Sequence, residues 1–406
     1  MGNKTTIKIL YLMEYPIDLP GGGQMSTQTL CDGIVAYSKG DTSVYKFDSI
    51  EEDYCFKPVV VCPTLLKKIP EDYPFDIITY PSDENRELSK VSRVKNFLSR
   101  IRHFYRIIRS QRPDIIHVSM SESLISYGFL RCLGLFSKIP FVYTDRGLCY
   151  GYRKHSKLCI MKTMKHAAGM LTTTQFNKNL WEKENIPCSI TVIPNTISSA
   201  FDNYDKNARK IMRAKYNLTE DELVIGFAGR ISEEKDWPCV EKLIEALSAT
   251  GISYKVALVL SVYEDRDAQI VDEIKRGIIK SIGENNLIYM QDLSQSEIAD
   301  YYYMVDIFVM TSMFESFGKA AVEAMSRGCS VVSTAVGGLP EVIGKQENLY
   351  DKEKLSTFTD RILRLYRDRD ELTADREYFY NRYKSLYTKE INVTRHIELY
   401  RKIMGI

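Results

Sequence analysis

The stretch Phe314-Glu315-Ser316-Phe317-Gly318-Lys319-Ala320-Ala321-Val322-Glu323-Ala324-Met325, closed by Arg327-Gly328, carries the clearest structural signal in the chain. The apolar segment 305–310 precedes it and is typical of a buried parallel strand. Helix-forming residues follow Gly318, and the closing glycine stands where a helix C-cap belongs. The stretch therefore predicts a strand, a tight loop and a helix. Glu315 lies in the loop and Glu323 lies more than one turn inside the helix.

The two carboxylates would flank the start of this helix. Free backbone N–H groups and the positive end of the helix dipole make such a start a site for anions. Carboxylates beside it are suited to accept hydrogen bonds from hydroxyl groups. An anion flanked by hydroxyl-rich groups describes a nucleotide sugar.

The spacing of the two glutamates resembles the E-x7-E signature of the family-4 retaining nucleotide-sugar glycosyltransferases. Other stretches resemble the same family in the same order along the chain: 193–197, 227–236, 330–334 and 337–341. The resemblance implies an α/β fold called GT-B. In this fold two Rossmann-like, doubly wound domains face a cleft, and a C-terminal helix crosses back to the first domain.

The resemblance also implies a catalytic set. Arg230 and Lys235 would neutralise the donor β-phosphate as the glycosidic bond loosens. Glu315 would contact the donor sugar, positioning and stabilising it rather than attacking it. Glu323 would accept hydrogen bonds from the ribose hydroxyls of the donor. The loop amides that would approach the phosphates and hydroxyls belong to Phe317, Gly318 and Lys319.

A glycine-rich loop, Gly21-Gly22-Gly23-Gln24, follows the first predicted strand, and a helix is predicted from about Ser26 to Tyr37. Successive glycines let the backbone approach a phosphate or a sugar closely. The spacing is not G-x-G-x-x-G, so it is poor evidence for a dinucleotide. The loop is either a flexible turn or, as the resemblance implies, a donor and acceptor contact through Gly22, Gly23 and Gln24.

The end of the predicted strand 140–144 departs from the family pattern, which often has a histidine where Arg146 stands. Asp145 and Arg146 are therefore candidates for contact with the acceptor or the donor sugar. An arginine can bind a phosphate or a carboxylate, but it cannot supply a neutral imidazole. His117, at the end of the preceding strand, is a further candidate, although a hydrogen-bonded core histidine explains it better.

At 406 residues the chain is too long for one ordinary core. Alternating strand-like and helix-like segments restart after residue 195. We predict an acceptor-side domain over 1–195, a nucleotide-sugar-binding domain over 196–375, and a returning C-terminal helix over 376–406. A helix predicted over 88–110 has one apolar face, taken as its core face: Val94, Phe97, Leu98, Ile101, Tyr105 and Ile108.

The net charge of the whole chain is only +2, but residues 86–165 hold 17 Lys and Arg against 4 Asp and Glu. This excess predicts an anionic partner for the first domain. No nucleic-acid motif accompanies it, so we expect no nucleic acid. Family members that extend lipid-linked glycans often dock a basic first domain on a membrane, which favours an anionic membrane surface.

Metal ions, disulfides and cofactors are not expected. The nine cysteines form no C-x-x-C pair, which is typical of reduced thiols in a cytosolic protein. Two D-x-D triplets, at 265–267 and 368–370, lie in charged helix-like surroundings and are interpreted as solvated faces. Residues 1–6 formally fit an N-myristoylation pattern, which we interpret as a chance match. With no apolar run of membrane-span length, we expect a cytoplasmic enzyme, held peripherally at the inner membrane face if the basic region binds lipid.

The resemblance implies a metal-independent, retaining hexosyltransferase. It would move a hexose-type sugar from a nucleoside diphosphate sugar, with UDP favoured over GDP, to a hydroxyl of a glycan or lipid-linked glycan. Bacterial surface polysaccharide synthesis is the family's commonest setting. One alternative is another GT-B activity, such as a nucleotide-sugar epimerase or a starch-type synthase. The other is a non-catalytic module that binds a glycan or a partner, against which the intact set of four charged residues weighs.

Overall fold

The computed structural model describes residues 4–19, 21–41, 47, 53–66, 72–82, 90–262 and 267–406. The chain forms two compact units. The first unit is Met1–Thr196 together with Thr388–Ile406, and the second is Ile197–Tyr387. The first boundary lies one residue from the predicted one. The returning segment, however, begins at Thr388 and not at residue 376.

The first unit is built on a sheet of seven described parallel strands in the order β3-β2-β1-β4-β5-β6-β7. Its strands are β1 (Thr5–Leu12), β2 (Tyr54–Pro63), β3 (Asp76–Tyr80), β4 (Ile115–Val118), β5 (Phe141–Asp145), β6 (Gly169–Thr172) and β7 (Ile190–Val192). Its helices up to β7 are α1 (Gly22–Lys39), α2 (Lys90–Gln111), α3 (Ser121–Cys132), α4 (Lys154–Met164) and α5 (Gln175–Lys183).

The second unit repeats this plan with six described strands in the order β10-β9-β8-β11-β12-β13. Its strands are β8 (Leu223–Arg230), β9 (Tyr254–Ser261), β10 (Leu287–Gln291), β11 (Ile307–Met310), β12 (Ser330–Thr334) and β13 (Leu349–Tyr350). Its helices are α6 (Ala208–Lys215), α7 (Trp237–Ser248), α8 (Asp267–Ile282), α9 (Gln295–Met304), α10 (Lys319–Ser326), α11 (Leu339–Ile343), α12 (Leu355–Arg367) and α13 (Arg369–Leu386).

Both sheets are doubly wound, as predicted. In each, the strand order reverses beside the first strand, between β1 and β4 and between β8 and β11. The central strands are buried along almost their whole length, which explains their continuous apolar sequences. A reversal of strand order leaves a crevice at the carboxyl ends of the strands, where ligands of such sheets bind.

Two short edge strands, β7 and β13, were not predicted. Strand β7 has three residues, of which none is fully buried, and β13 has two. Segments this short carry no readable alternation of apolar and polar residues, because such a pattern needs at least four positions.

The predicted core face of α2 is wrong at its N-terminal half. Val94 and Leu98 are each 58% exposed, whereas Phe104 and Ile108 are fully buried. Helical spacing identifies which residues share a face of the helix. How much of that face is buried depends on the other elements that pack against it. The first two turns of α2 therefore present an uncovered apolar surface.

The C-terminal helix α14 (Lys389–Met404) packs against α1 in the first unit. Val393, Ile397 and Tyr400 are buried in the same core as β1. The Tyr400 hydroxyl bonds to the hydroxyl of Tyr11 at 2.7 Å. The predicted return of the final helix to the first domain is confirmed.

Candidate functional site

The signature stretch lies at the strand reversal of the second sheet. Strands β8 and β11 are neighbours, so the loops that follow them emerge at the same edge. The loop after β8 carries Arg230 and Lys235, and the loop after β11 carries Glu315. The backbone N–H of Met313 donates to the carbonyl of Glu234 at 2.9 Å, which ties the two loops together.

The central contact of the site joins Lys235 and Glu315. Lys235 Nζ lies 3.0 Å from Glu315 Oε2, and the two side chains are 19% and 20% exposed. The Thr311 hydroxyl donates to the carbonyl of Lys235 at 2.8 Å and fixes that loop on the end of β11. An ammonium and a carboxylate that remain reachable from solvent can each exchange this contact for a substrate group.

Arg230 points outward beside this pair. Its side chain is 56% exposed, and Nη2 donates to Glu234 Oε1 at 2.7 Å. The Trp237 indole N–H donates to the carbonyl of Arg230 at 3.0 Å and holds the backbone at the end of β8. The structure thus pairs Lys235 with Glu315 and places Arg230 at the end of β8, where the loop that carries Lys235 begins.

Glu323 is the fifth residue of α10, and its neighbours in that helix are buried. Burial raises the pKa of its carboxyl group, while the nearby Lys319 ammonium acts in the opposite direction. The Tyr302 hydroxyl donates to Glu323 Oε2 at 3.4 Å. An enclosed carboxylate of this kind retains acceptor capacity for hydroxyl groups.

The loop that presents Glu315 is locked by close backbone contact. Gly337, at φ +55°, lies so near that a Cβ there would come within 2.0 Å of the Glu315 carbonyl oxygen. The next amide, that of Gly338, donates to the same oxygen at 2.9 Å. Gly318 caps α10 with a φ of +90°, a conformation that glycine adopts without strain. Phe317 buries its ring against Tyr387, so only its backbone is placed for ligand contact.

The glycine-rich loop of the first unit is the first turn of α1 itself. The helix begins at Gly22, four residues before the predicted start, and Ser26 and Thr27 donate to the carbonyls of Gly22 and Gly23. Nothing lies within 4 Å of a Cβ placed on Gly22, whereas Gln24 is buried. Gly22 and Gly23 therefore form the start of the helix that follows β1.

Asp145 has a structural role that the sequence did not reveal. The side chain is fully buried, and its oxygens accept from the Tyr152 hydroxyl at 2.5 Å, the Trp181 indole at 2.5 Å and the Asn177 amide at 3.0 Å. With its oxygens engaged in the interior, the geometry contradicts the prediction that Asp145 faces a sugar.

His117 is also an interior residue. Its Nδ1 lies 2.6 Å from the Tyr400 hydroxyl and its Nε2 lies 2.6 Å from the Thr144 hydroxyl. Burial lowers the pKa of His117 well below its usual value, so the ring is neutral at pH 7. The structure corrects its placement on the sugar side and favours the alternative of a satisfied core histidine. Arg146, in contrast, lies at the carboxyl ends of the strands, where its side chain donates to the Ser119 carbonyl.

The second D-x-D triplet has a structural role. Asp368 caps α13 by accepting from the Glu371 amide at 2.9 Å. In the first triplet Asp267 opens α8, and residues 265 and 266 lie outside the described residues, as do residues 1–3 of the myristoylation pattern. Within the described ranges, no three His, Cys, Asp or Glu side chains are grouped as a metal site would require. Of the described helices, none combines the length and apolar character needed to cross a membrane.

Sequence reasoning missed three residues that build the site. Tyr302 contacts Glu323, Thr311 holds the Lys235 loop, and Gly337 leaves room for the Glu315 backbone. The pair Gly337-Gly338 gave a readable signal, because paired glycines mark a close backbone approach. Tyr302 stands in a run of three tyrosines, and nothing in that run distinguishes the one that reaches the carboxylate.

Two family models match this chain in succession. The model described as Glycosyltransferase Family 4 matches residues 55–201, and the one described as Glycosyl transferases group 1 matches residues 208–384. The chain belongs to the family-4-like GT-B glycosyltransferases. The second match contains the paired loops and both glutamates of the signature.

Known members of this glycosyltransferase group align over part of their length. The lipopolysaccharide 1,2-N-acetylglucosaminetransferase of Salmonella typhimurium is 26% identical over 179 residues, 43% of this chain and 46% of that protein. The chain spans about half the length of the curated relatives it matches.

Solved structures share the GT-B fold over nearly the whole chain. Sucrose-phosphate synthase of Thermosynechococcus elongatus gives a TM-score of 0.78 at 15% identity, covering 98% of this chain and 99% of that one. Anabaena HepE in complex with UDP-glucose gives 0.72 at 16% identity, covering 98% and 100%. At these identities the likeness concerns the fold.

Proposed function

We propose that this glycosyltransferase moves a hexose-type sugar from a nucleoside diphosphate sugar to an acceptor hydroxyl with retention of configuration. The observation that carries the proposal is the Lys235–Glu315 pair, held at the strand reversal of the second sheet beside Arg230. UDP is favoured as the nucleotide, since a protein of the same fold, Anabaena HepE, was solved with UDP-glucose.

The proposed reaction breaks the bond between the sugar C1 and the β-phosphate oxygen. Lys235 and Arg230 would stabilise the negative charge that develops on the leaving phosphate. The acceptor oxygen would bond to C1 on the same face, and its proton would pass to the departing phosphate oxygen. Glu315 would hold the donor sugar in place, and Glu323 would accept from the ribose hydroxyls.

The proposed setting is the synthesis of a bacterial surface polysaccharide in the cytoplasm. A lipopolysaccharide transferase is among the relatives, which supports a glycan or lipid-linked glycan as the acceptor. Another GT-B activity, such as an epimerase or a starch-type synthase, would give a different product from the same donor. A module that only binds a glycan does not require two cations and two carboxylates at the carboxyl ends of the strands of its second sheet.

The test compares a panel of UDP- and GDP-sugars for nucleotide release and for sugar transfer, with the product anomer assigned by NMR. Alanine at Arg230, Lys235, Glu315 or Glu323 should each lower turnover by roughly 10²–10³-fold, the effect of removing an electrostatic stabiliser. Lys280→Ala, an exposed charge on α8, is the matched control and should leave turnover unchanged.

Near-wild-type turnover in Arg230→Ala and Glu323→Ala would contradict the assignment of the site. A protein that gains no thermal stability from either UDP or GDP would be a binding module of another kind, because a nucleotide bound to the folded state must stabilise it.

We further propose that the first unit binds an anionic membrane through α2, α3 and α4. Five large apolar side chains are exposed on or next to these helices: Val94, Leu98, Phe129, Leu133 and Leu158. The rings of Phe97 and Phe129, 6.3 Å apart, join α2 to α3, and α4 packs beside α3. We call this set of five side chains the apolar strip.

Exposed basic side chains accompany the apolar strip: Arg93, Lys95, Arg102, Arg106, Lys154, Lys162 and Lys165. Two other basic residues of the region are held by carboxylates, Arg100 near Glu122 and Lys157 with Glu184. Each free basic residue near an anionic surface contributes about 1 kcal/mol, and the apolar strip adds burial in the interface. Exposed apolar and basic side chains along the same helices favour lipid over a purely anionic partner such as nucleic acid.

Sedimentation with anionic and neutral vesicles tests this attachment. Leu98→Gln combined with Leu133→Gln should release the protein from anionic vesicles. Ile211→Gln, which changes an equally exposed aliphatic residue on α6, should not. Equal binding to both vesicle types would remove the role of anionic lipid, and binding to neither would remove the membrane role. Binding to an oligonucleotide that survives the double change would point to nucleic acid.

A further inference from the structure

Arg146 occupies a position in the first unit that the proposed chemistry does not use. It is the first residue after β5, at the sheet edge where α1 begins. Its side chain borders a small enclosed cavity together with Ser26, Thr144, Asn195 and His396. The residue as a whole is half-buried and lies at the carboxyl end of β5.

The hydrogen bonds of Arg146 are incomplete. Nη1 donates to the carbonyl of Ser119 at 3.1 Å. The Nε atom is enclosed, yet no acceptor among the described residues takes its hydrogen. A guanidinium has five N–H donors and no acceptor, and leaving a buried one unmatched is unfavourable.

The positive charge of Arg146 is also uncompensated. Burial lowers its pKa to about 10, so the group stays protonated at pH 7. Across the described part of the chain, no carboxylate lies within ion-pair distance of it. The titratable groups around it are Tyr11, Tyr143, Tyr400 and Cys31, and burial raises the pKa of each. All four are therefore neutral at pH 7.

The two neighbouring histidines carry no charge, and the adjacent aspartate is bonded to other residues. Burial and the charge of Arg146 together lower the pKa of His396, to about 4, and that of His117, so both rings are neutral. Asp145, the residue before Arg146, turns its oxygens to Tyr152, Trp181 and Asn177 and makes no ion pair with Arg146. A cation held this way favours an anion that arrives from outside.

We propose that Arg146 is the oxyanion-binding group of the first unit and takes a carboxylate or phosphate substituent of the acceptor. That the ligand is a glycan acceptor rests on the proposed function, whereas the oxyanion site rests on Arg146 itself. A guanidinium matches the two oxygens of such a group with parallel hydrogen bonds. Arg230 and Lys235, the side chains assigned to the donor diphosphate, belong to the second unit, whereas Arg146 belongs to the first.

Thermal unfolding of the 406-residue chain with sugar probes tests this site. Glucuronate and glucose 6-phosphate should each raise the midpoint, and glucose at the same concentration and ionic strength should not. In Arg146→Gln the affinity for both anionic sugars should fall roughly tenfold to hundredfold, the effect of losing charge-assisted hydrogen bonds. Arg146→Lys should retain part of the phosphate response, because it keeps the charge without the fork.

Controls separate this site from the nucleotide site. Lys183→Gln, which removes an exposed positive charge from α5, should respond to all probes as the wild type does. Stabilisation by UDP should persist in Arg146→Gln, and its absence from the wild type would count against the proposed function alone. Equal responses to glucose and to the anionic sugars would overturn the oxyanion site. A UDP response that disappears with Arg146 would overturn the acceptor assignment and make the donor diphosphate its ligand.

Discussion

Glu315→Gln should bind UDP more tightly than the wild type does, while losing transfer activity. The Glu315 carboxylate lies 3.0 Å from Lys235 Nζ and would compete with the donor phosphate for that ammonium. Glutamine keeps the shape of the side chain and removes the competing charge. Lys235 is then free to meet the phosphate, but the donor sugar loses its carboxylate partner.

The size of the effect follows from the exposure of the pair. At 19% and 20% exposure, it lies between a surface ion pair, worth about 0–1 kcal/mol, and a buried one, where losing a partner costs about 3–5 kcal/mol. An intermediate value of about 1–2 kcal/mol corresponds to UDP binding about 5- to 30-fold tighter. Turnover should fall roughly 100-fold or more.

Isothermal titration with UDP and steady-state transfer kinetics measure the two halves of this prediction. The matched control is Glu234→Gln, which removes the partner of the exposed Arg230 and should change UDP affinity less than threefold, as expected of a surface pair. Weaker UDP binding in Glu315→Gln would refute the reasoning, since Glu315 would then assist the phosphate site.

Three other outcomes are expected. Transfer should persist in excess EDTA, because Arg230, Lys235 and the start of α10 supply positive charge for the diphosphate; a complete loss restored by Mn²⁺ would contradict this. Gly337→Ala should fold yet lose activity, since its Cβ would displace the Glu315 carbonyl, and unchanged kcat would show that this backbone position is not needed. Burial raises the pKa of Glu14 from about 4.5 to about 7, so the folded state binds the extra proton and wild-type stability falls as pH rises through that window. Glu14→Gln should not show that fall. In denaturant titrations its free energy of unfolding should rise relative to the wild type by up to about 3 kcal/mol between pH 4 and pH 8. A parallel pH dependence in both proteins would exclude the effect.

The sheets and the nucleotide-side residues were largely predictable from the sequence. Buried parallel strands need continuous apolar runs, and the loops at their carboxyl ends must supply the polar groups of a site. Both properties are local, so the segment before Glu315 and the charges of Arg230 and Lys235 could be read directly. The pairing of Lys235 with Glu315 joins residues 80 positions apart and required the structure.

The first-unit residues show where local reasoning fails. Asp145 and Arg146 are adjacent polar residues at a strand end, and the sequence treats them alike. In the fold the Asp145 side chain turns inward to Tyr152 and Trp181, whereas Arg146 lies at the carboxyl ends of the strands. The difference arises from α5 and the turn after β5, whose positions depend on tertiary packing. The exposure of Val94 has the same cause, because the elements that pack against a helix determine which part of its apolar face is buried.

The position of α14 sets the order in which the protein can be assembled during synthesis. Most of the first unit emerges from the ribosome before the second, yet part of its core, including Val393, Ile397 and Tyr400, is translated after the second unit. Each such side chain contributes about 1.5–3 kcal/mol on burial, and a whole domain is stable by only about 5–15 kcal/mol. Until the second unit has been translated, the nascent first unit therefore lacks part of its core and leaves apolar surface exposed. Of the two units, the one whose translation begins earlier is therefore the one whose folding is completed later.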